Sequence, residues 1–465
     1  MLERLGTTLS RLSLRWVPDP FVLALLLTLL SFLGALHYTG YDSARTLLSW
    51  VHGSGSGKGF WNLLAFGMQM CLILVTGHAL ASSPPVRRLL DALAARARTP
   101  ASAIAVVSIT AMLLALVNWG LGLIAGALLA RAVGERARTR GIAVHYPLLA
   151  AAGYSGLLVW HGGLSGSAPL KVTQAKDVSE ILGTGLAAQI GELSLAQTIF
   201  ALPNLLANAC LLVLVPLLLV RMIPKREADR RPCPAPEPEP EPEPEPDVAP
   251  TRTDAKSVLS PANRLDHSKS LALVLALLGA ATWVLWVRKQ GLAHLDPNLI
   301  NFAFLFVGLA LHGSALAYAN AIGDAARGCA GIILQFPFYA GIMGILTGSG
   351  LLKAIAAALA GAGPAVLPAV SFYAAGLVNL FVPSGGGQWA VQGPVLMQAA
   401  VDSGIAPARL VMALVYGDQW TNMLQPFWAL PLLAITGIKA RDIIGYTAVL
   451  LLASQFVFLT ALYLG

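Results

Sequence analysis

The chain has 465 residues, of which 56% are hydrophobic and 12% charged, with 31 Lys and Arg against 23 Asp and Glu for a net charge of +8. This composition excludes a water-soluble globule, which would lack the polar surface to cover itself, and apolar runs such as 21–36 and 271–287 do not alternate as the strands of a membrane barrel must. The basic excess is spread through loops beside apolar segments and is not gathered on one face, so it points to membrane topology and away from nucleic acid.

The basic lead before the first apolar run resembles a signal peptide, but it is long and many further spans follow, so an uncleaved first helix is expected. Segments of the ~20 apolar residues that cross a bilayer as helix fall at 20–38, 61–82, 145–170, 194–222, 269–287, 298–316, 329–347, 407–435 and 442–464. Two more apolar blocks break the pattern. Block 101–134 has Arg96 and Arg98 before it and Arg131, Arg136, Arg138 and Arg140 at its far end, so both ends belong on one side. With Val117-Asn118-Trp119-Gly120-Leu121-Gly122 at its middle it reads as a re-entrant helical hairpin. Block 365–401 has the same form, with Val382-Pro383-Ser384-Gly385-Gly386-Gly387 at the turn.

Nine crossings and two hairpins with the N-terminus cytoplasmic place 23 of the Lys and Arg inside and 8 outside (Arg45, Lys58, Lys171, Lys176, Arg288, Lys289, Lys353 and Arg409), as the positive-inside rule requires. The C-terminus then falls outside. Residues 225–268 are different material, with a Glu-Pro repeat from Glu237 to Pro246, and are expected to form an extended polyproline tether in the cytosol. The fold class is thus all-α and polytopic. A first repeat (1–224), the linker (225–268), and an extra helix with a second repeat (269–465) make up the chain. The repeats show in the order of elements: hairpin then broken helix occurs twice, with Asn118 matching Asn379 and Tyr154 matching Tyr416. The odd helix at 269–287 makes the second copy inverted.

In each half the span after the hairpin is interrupted, by 160–169 in the first and by 416–426 in the second, stretches too rich in Gly, Pro and polar residues for unbroken helix. Irregular backbone at membrane depth is tolerated only where it lines a wet cavity, so the two tips and two breaks are expected to converge. The alternative, that Gly and Ser merely allow close helix packing, accounts for single positions better than for all four segments. No Lys or Arg lies within the breaks, so an anion there must be held by helix N-termini and by Ser165, Ser167, Ser384, Gln388, Asn422 and Gln425. Asn118 and Asn379 are the paired candidates for a coupling cation. Asp418 is the acidic residue deep in a span, suited to cation coordination or proton carriage, and His161 follows the same logic. Trp119, Trp160, Trp389 and Trp420 recur beside the breaks and suit either the wall of an apolar pocket or simple packing. The four cysteines lack metal or redox spacing and read as inert thiols. There is no nucleotide loop, metalloprotease motif or nucleophile elbow, and a membrane acyl-transfer enzyme built on His161 and Asp418 would lack a nucleophile.

At these residues the sequence resembles the bacterial short-chain fatty acid transporter family, the acetoacetate and butyrate uptake carriers. The resemblance runs through Arg15-Trp16-Val17-Pro18-Asp19-Pro20, Phe60 to Met70, Thr76 to Ala81, Asn118-Trp119-Gly120, Gln335 to Ile342, Val382 to Gly387, and Gln419-Trp420 to Pro431. It implies a place in the ion-transporter superfamily, with inverted repeats, opposed hairpins, broken helices, an inner-membrane location and a homodimer that moves one domain as an elevator. Function is then expected to be secondary transport of a short monocarboxylate driven by a Na+ or H+ gradient, with no cofactor beyond the coupling ion. A dicarboxylate carrier, another small-anion carrier and a passive channel stay as alternatives. From the residues of the tips and breaks, with substrate between them as the resemblance implies, substrate is expected among Asn118, Trp119, Gly120, Ser165, Gly166, Ser167, Ser384, Gly385, Gly386, Gln388, Trp389, Gln419, Asn422 and Gln425. The ion lies among Asn118, His161, Asn379, Ser384, Asp418 and Asn422. The chain departs from the family in having His161 for Gly, Gln388 for His, and the Glu-Pro linker.

Overall fold

A computed structural model describes residues 2–40, 42–53, 59–235, 260–290, 297–351, 354 and 363–464, and every regular element among them is helical. Lys58, Lys353, the Glu-Pro repeat and much of the expected linker lie outside the described residues. The first helix, α1 (Leu2–Trp16), is amphipathic, and three residues later α2 (Pro20–Tyr38) begins where Asp19 accepts the Phe21 N–H and Pro20 occupies the first helical position. Then come α3 (Ser43–His52), α4 (Leu64–Ser82) and α5 (Pro84–Ala94). One residue separates α6 (Pro100–Val117) from α7 (Trp119–Thr139): Asn118 turns extended and caps α7 with its own side chain. After α8 (Tyr146–Tyr154) the chain passes through 3-10 turns at Ser155–Leu158 and Trp160–Gly162 to α9 (Ser167–Lys171). The short helices α10 (Ala175–Leu182) and α11 (Thr184–Ile190) lead to α12 (Leu202–Arg221).

Beyond the linker run α13 (Pro261–Asp266), α14 (Lys269–Gln290), α15 (Pro297–His312), α16 (Ala315–Ala326) and α17 (Ala330–Gly348). The chain closes with α18 (Leu367–Phe381), α19 (Gly385–Ser403), α20 (Pro407–Thr421), α21 (Pro426–Thr436) and α22 (Ala440–Tyr463). Among the described residues, seven helical runs are long and apolar enough to cross a membrane: α2, α4, α6, α12, α14, α16 running into α17, and α22. Only 17% of the α2 and α14 windows is buried, so these helices turn Leu and Val outward on most sides, as a helix solvated by lipid does.

Several expected boundaries move. The helix expected at 194–222 starts only at Leu202, and α16, which was not expected as an element of its own, leads almost without interruption into α17. The break expected at 416–426 shrinks to 422–425 because α20 stays helical through Tyr416-Gly417-Asp418. There Gly417 lets α20 approach α18 so closely that a Cβ would strike the Phe372 carbonyl oxygen. Block 101–134 does double back at Asn118 with α6 and α7 packed side by side, although α6 alone is long enough to cross. In block 365–401 the two arms diverge: α18 packs far more on α20 than on α19.

The helices sort into two sets. One contains α2, α3, α4 and α14 to α17, with α17 against α2 and α3 and α4 against α15 and α16. The other contains α6 to α8, α12 and α18 to α22, with α1 laid along α22. The two tips and the breaks belong to the second set.

Candidate functional site

The two tips and two breaks meet. Trp119 N–H, at the first tip, donates to Ser165 Oγ in the first break at 3.0 Å, and Leu164 N–H donates to Leu116 O at 2.7 Å. At the second tip, a Cβ on Gly385 would sit 2.7 Å from His161 Cε1 and 3.1 Å from the Trp160 ring, so only glycine lets α19 start against that break. Gly166 has the same necessity, because a side chain there would run into the His161 carbonyl oxygen. The second break reaches the first through Asn422 Nδ2 to Leu157 O at 3.4 Å, and the second hairpin through Gln425 Nε2 to Leu380 O at 2.9 Å.

At the centre His161 and Asp418, 257 residues apart in sequence and both fully buried, pair through Nδ1 and Oδ2. Ala168 N–H donates to His161 Nε2 at 3.2 Å, so the neutral imidazole carries its proton on Nδ1, toward the carboxylate. Gln419 steadies the turn by accepting the N–H groups of His161 and Gly162, each at 3.1 Å. Asn204 and Asn208 of α12, not singled out by the sequence, donate to Gly162 O at 2.9 and 3.3 Å. Asn379 Nδ2 gathers α20 by donating to Asp418 O and Asn422 Oδ1, both at 2.8 Å, and to Thr421 Oγ1 at 3.1 Å. Tyr154 OH donates to Asn422 O and Gln425 O.

Several expected ligands are occupied in holding the fold. Asn422 and Gln425 direct their amide N–H groups at backbone carbonyls. Gln388 Nε2 donates to Ala375 O and Gln392 Oε1, both at 2.8 Å. Asn118 accepts Gly120 and Leu121 N–H as the α7 cap, and Ser384 accepts Gly387 N–H as the α19 cap. By this local role Asn118 matches Ser384, whereas Asn379 lies inside α18, so the sequence pairing of Asn118 with Asn379 does not hold at the level of local structure. Two buried donors, Gln419 Nε2 and Trp160 Nε1, and a set of acceptors remain open among the described residues. Asp418 Oδ1, Asn379 Oδ1 and Gln388 Oε1 are each in fully buried side chains and have no hydrogen-bond partner among the described residues.

An aromatic wall stands beside this polar core. Trp119 lies 5.0 Å from Trp428 and 6.4 Å from Trp160 between ring centroids, and Phe66 and Phe336 extend the group from α4 and α17. Trp160 stacks on His161 at 4.4 Å. Trp420 points elsewhere, donating to Leu451 O of α22, and Trp389 is buried against Gly393 of its own helix, so of the four recurrent Trp only two join the wall. Trp428, Phe66 and Phe336 went unnoticed because nothing in a one-dimensional apolar run distinguishes a ring that meets a partner from one that meets lipid. Lys171 was also missed. It closes α9, and a Cβ on Gly386 would lie 3.8 Å from its Cε and 3.8 Å from Ser167 Cβ, so its ammonium group flanks the glycine-rich start of α19.

The match to known proteins covers the whole chain. Residues 1–465 fit the family described as short chain fatty acid transporter. The chain belongs to that family. Relatives named for short-chain fatty acid transport occur in Escherichia coli, 39% identical over 466 residues, and in Haemophilus influenzae, 35% identical over 468, each covering 100% of both chains. Among solved structures, the YdaH transporter of Alcanivorax borkumensis aligns with 95% of this chain and 97% of its own at TM-score 0.40 and 16% identity. MtrF of Neisseria gonorrhoeae, from a class of antimetabolite efflux pumps, aligns with 95% of each chain at TM-score 0.38 and 15% identity. As a family member with this set of apolar helices, the chain is a multi-pass membrane protein of a transporter family, and transport in place of catalysis is what the family name implies.

Proposed function

We propose that the chain is a secondary active carrier that moves a short monocarboxylate, of the acetoacetate or butyrate size, across the bacterial inner membrane with a Na+ or H+ gradient. The observation that carries this reading is the set of open acceptors at α18, α19 and α20, beside which Gln419 Nε2 is an open donor. One carboxylate oxygen and two amide oxygens are buried without a donor, an arrangement costly in itself and relieved by a cation. The donor set fits Na+, a hard ion that takes oxygen ligands, with Asp418, Asn379 and Gln388 holding it; a proton on Asp418 Oδ1 satisfies the same acceptors in part. Asn118, Ser384, Asn422 and His161 form the surrounding shell in this proposal.

The substrate carboxylate is assigned to the start of α19. There Gly385 and Gly386, capped by Ser384, open the helix with backbone N–H groups that have no acceptor among the described residues, and Ser167 with Lys171 adds a hydroxyl and a positive charge. The acyl chain is assigned to the wall of Trp119, Trp160 and Trp428, which is apolar and adjoins Gly385 through Trp160. Ser165, Gly166, Gly120, Trp389, Gln419 and Gln425 then position these groups. The proposal includes a homodimer and movement of the second helix set against the first.

The test is uptake of labelled butyrate or acetoacetate into proteoliposomes under imposed Na+ or H+ gradients, with dicarboxylates as competitors. Accumulation above the equilibrium level is expected. Equilibration without accumulation would show a passive channel, and competition by dicarboxylates but not by monocarboxylates would overturn the substrate class.

A further inference from the structure

We propose that the face carrying the N-terminus holds a binding site for the phosphodiester headgroup of an anionic phospholipid, in a cavity between α1, the end of α12 and the start of α22. The cavity measures about 600 Å³ and is lined by Arg4, Thr7, Arg11, Lys225, Arg226 and Tyr446, among others. Among the described residues none of Arg4, Arg11, Lys225 and Arg226 forms an ion pair. The acids in the same wall, Glu3 and Asp229, offset only two of these four charges, and Glu3 Oε1 is turned to the Lys225 backbone N–H at 2.8 Å. Arg231, also in the wall, is already held by Asp442 at 2.7 Å. Four cations without an ion-pair partner around one concavity suit a phosphate, and three of them are guanidinium forks able to bind it through paired N–H groups.

The position argues for a lipid over a soluble phosphate. Three membrane-length helices end at this level: α2 starts three residues after α1, α12 stops at Arg221, and α22 starts at Ala440. The cavity therefore opens at the bilayer surface. Helix α1 lies along α22 through its small residues, with Ser10 against Gly445 and Ser13 Oγ donating to Arg441 O. Its Arg4 and Arg11 stripe faces the cavity. The neighbouring stripe of Leu5, Leu12 and Trp16 is 39%, 51% and 69% exposed, as on a helix that lies in the interface beside acyl chains. A phosphate bound between the two stripes has its acyl chains beside an apolar surface already formed.

The test uses the full chain purified in mild detergent, with its thermal unfolding followed during titration with short-chain phosphatidylglycerol, phosphatidylethanolamine or inorganic phosphate. Phosphatidylglycerol is expected to stabilise the chain at concentrations where the other two do not. Arg4→Gln with Arg11→Gln should weaken that response ~10-fold or more, since each cation near an anionic surface contributes measurably. If that variant does not fold, Lys225→Gln with Arg226→Gln, outside α1, should give the same loss, while the charge-matched Arg45→Gln with Lys176→Gln should not. Equal responses to both lipids, or no effect of either cavity variant, would overturn the site. An equal response to inorganic phosphate would overturn the lipid as its source. Stabilisation by phosphatidylglycerol only in a chain lacking residues 237–246 would make the acidic Glu-Pro segment the occupant and sink the lipid assignment.

Discussion

Asp418 and His161 illustrate how much chemistry a single contact can carry. His161 Nε2 is engaged by Ala168 N–H, whereas Asp418 Oδ1 has no hydrogen-bond partner among the described residues and is the atom left open to a cation. Asp418→Asn keeps the shape and a hydrogen bond to His161 but removes the charge. It is expected to lower gradient-driven accumulation at least ~10-fold, a change of about 1.4 kcal/mol, with normal membrane levels. Unchanged dependence on Na+ and pH would remove Asp418 from the coupling. Lys171→Gln removes the cation beside Gly386 and is expected to raise the substrate KM about tenfold, in keeping with ~1.5–3 kcal/mol for a hydrogen bond to a charged group. Its ion dependence should stay as in the native chain, so uptake measured against substrate concentration at fixed gradient separates the two residues. Gly166→Ala belongs to a different class. The added methyl meets the His161 carbonyl, and destabilisation of roughly 1–3 kcal/mol is expected, read as a lower unfolding temperature in detergent.

Among elements, the junction of the first tip with the first break rests on few groups. Ser165→Ala leaves Trp119 N–H without its side-chain acceptor and is expected to cost about 1 kcal/mol while loosening the aromatic wall, visible as a shift in Trp fluorescence. The start of the linker is firmer than its composition suggests. Arg231 N–H donates to His145 Nδ1, Tyr146 N–H donates to Arg231 O, and Cys233 is buried against Tyr146 and Gly134. Burial pushes the Cys233 thiol up, so it should react slowly with a maleimide at neutral pH although it sits outside any span. Rapid labelling of Cys233 in a variant lacking the other three cysteines would show that this strand of chain is not docked. The element bounds themselves were legible to different degrees. Helix α2 could be read from Asp19-Pro20 because cap and proline act locally. The continuation of α20 through Gly417 and Asp418 could not, since it depends on Phe372 and Asn379 of α18 to accept a bare backbone and to bond Asp418 O.

For the whole molecule, the distribution of Lys and Arg predicts opposite locations for the two termini. A C-terminal alkaline phosphatase fusion should be active and an N-terminal fluorescent fusion should fold in the cytosol; the reverse pair would overturn the nine-crossing arrangement. Hydrophobicity, the charge sorting and the positions of Gly and Pro are properties of the sequence itself. They determine that this chain lives in a bilayer and which segments form its apolar helices, because each follows from the solvent and from local backbone geometry. What lies opposite what was decided only in three dimensions. His161 finds Asp418 across 257 residues, Lys171 comes beside Gly386, and Trp428 completes the wall begun by Trp119 and Trp160. Such pairings arise from packing among helices distant in sequence, and no local pattern encodes which apolar or polar residue will meet a partner.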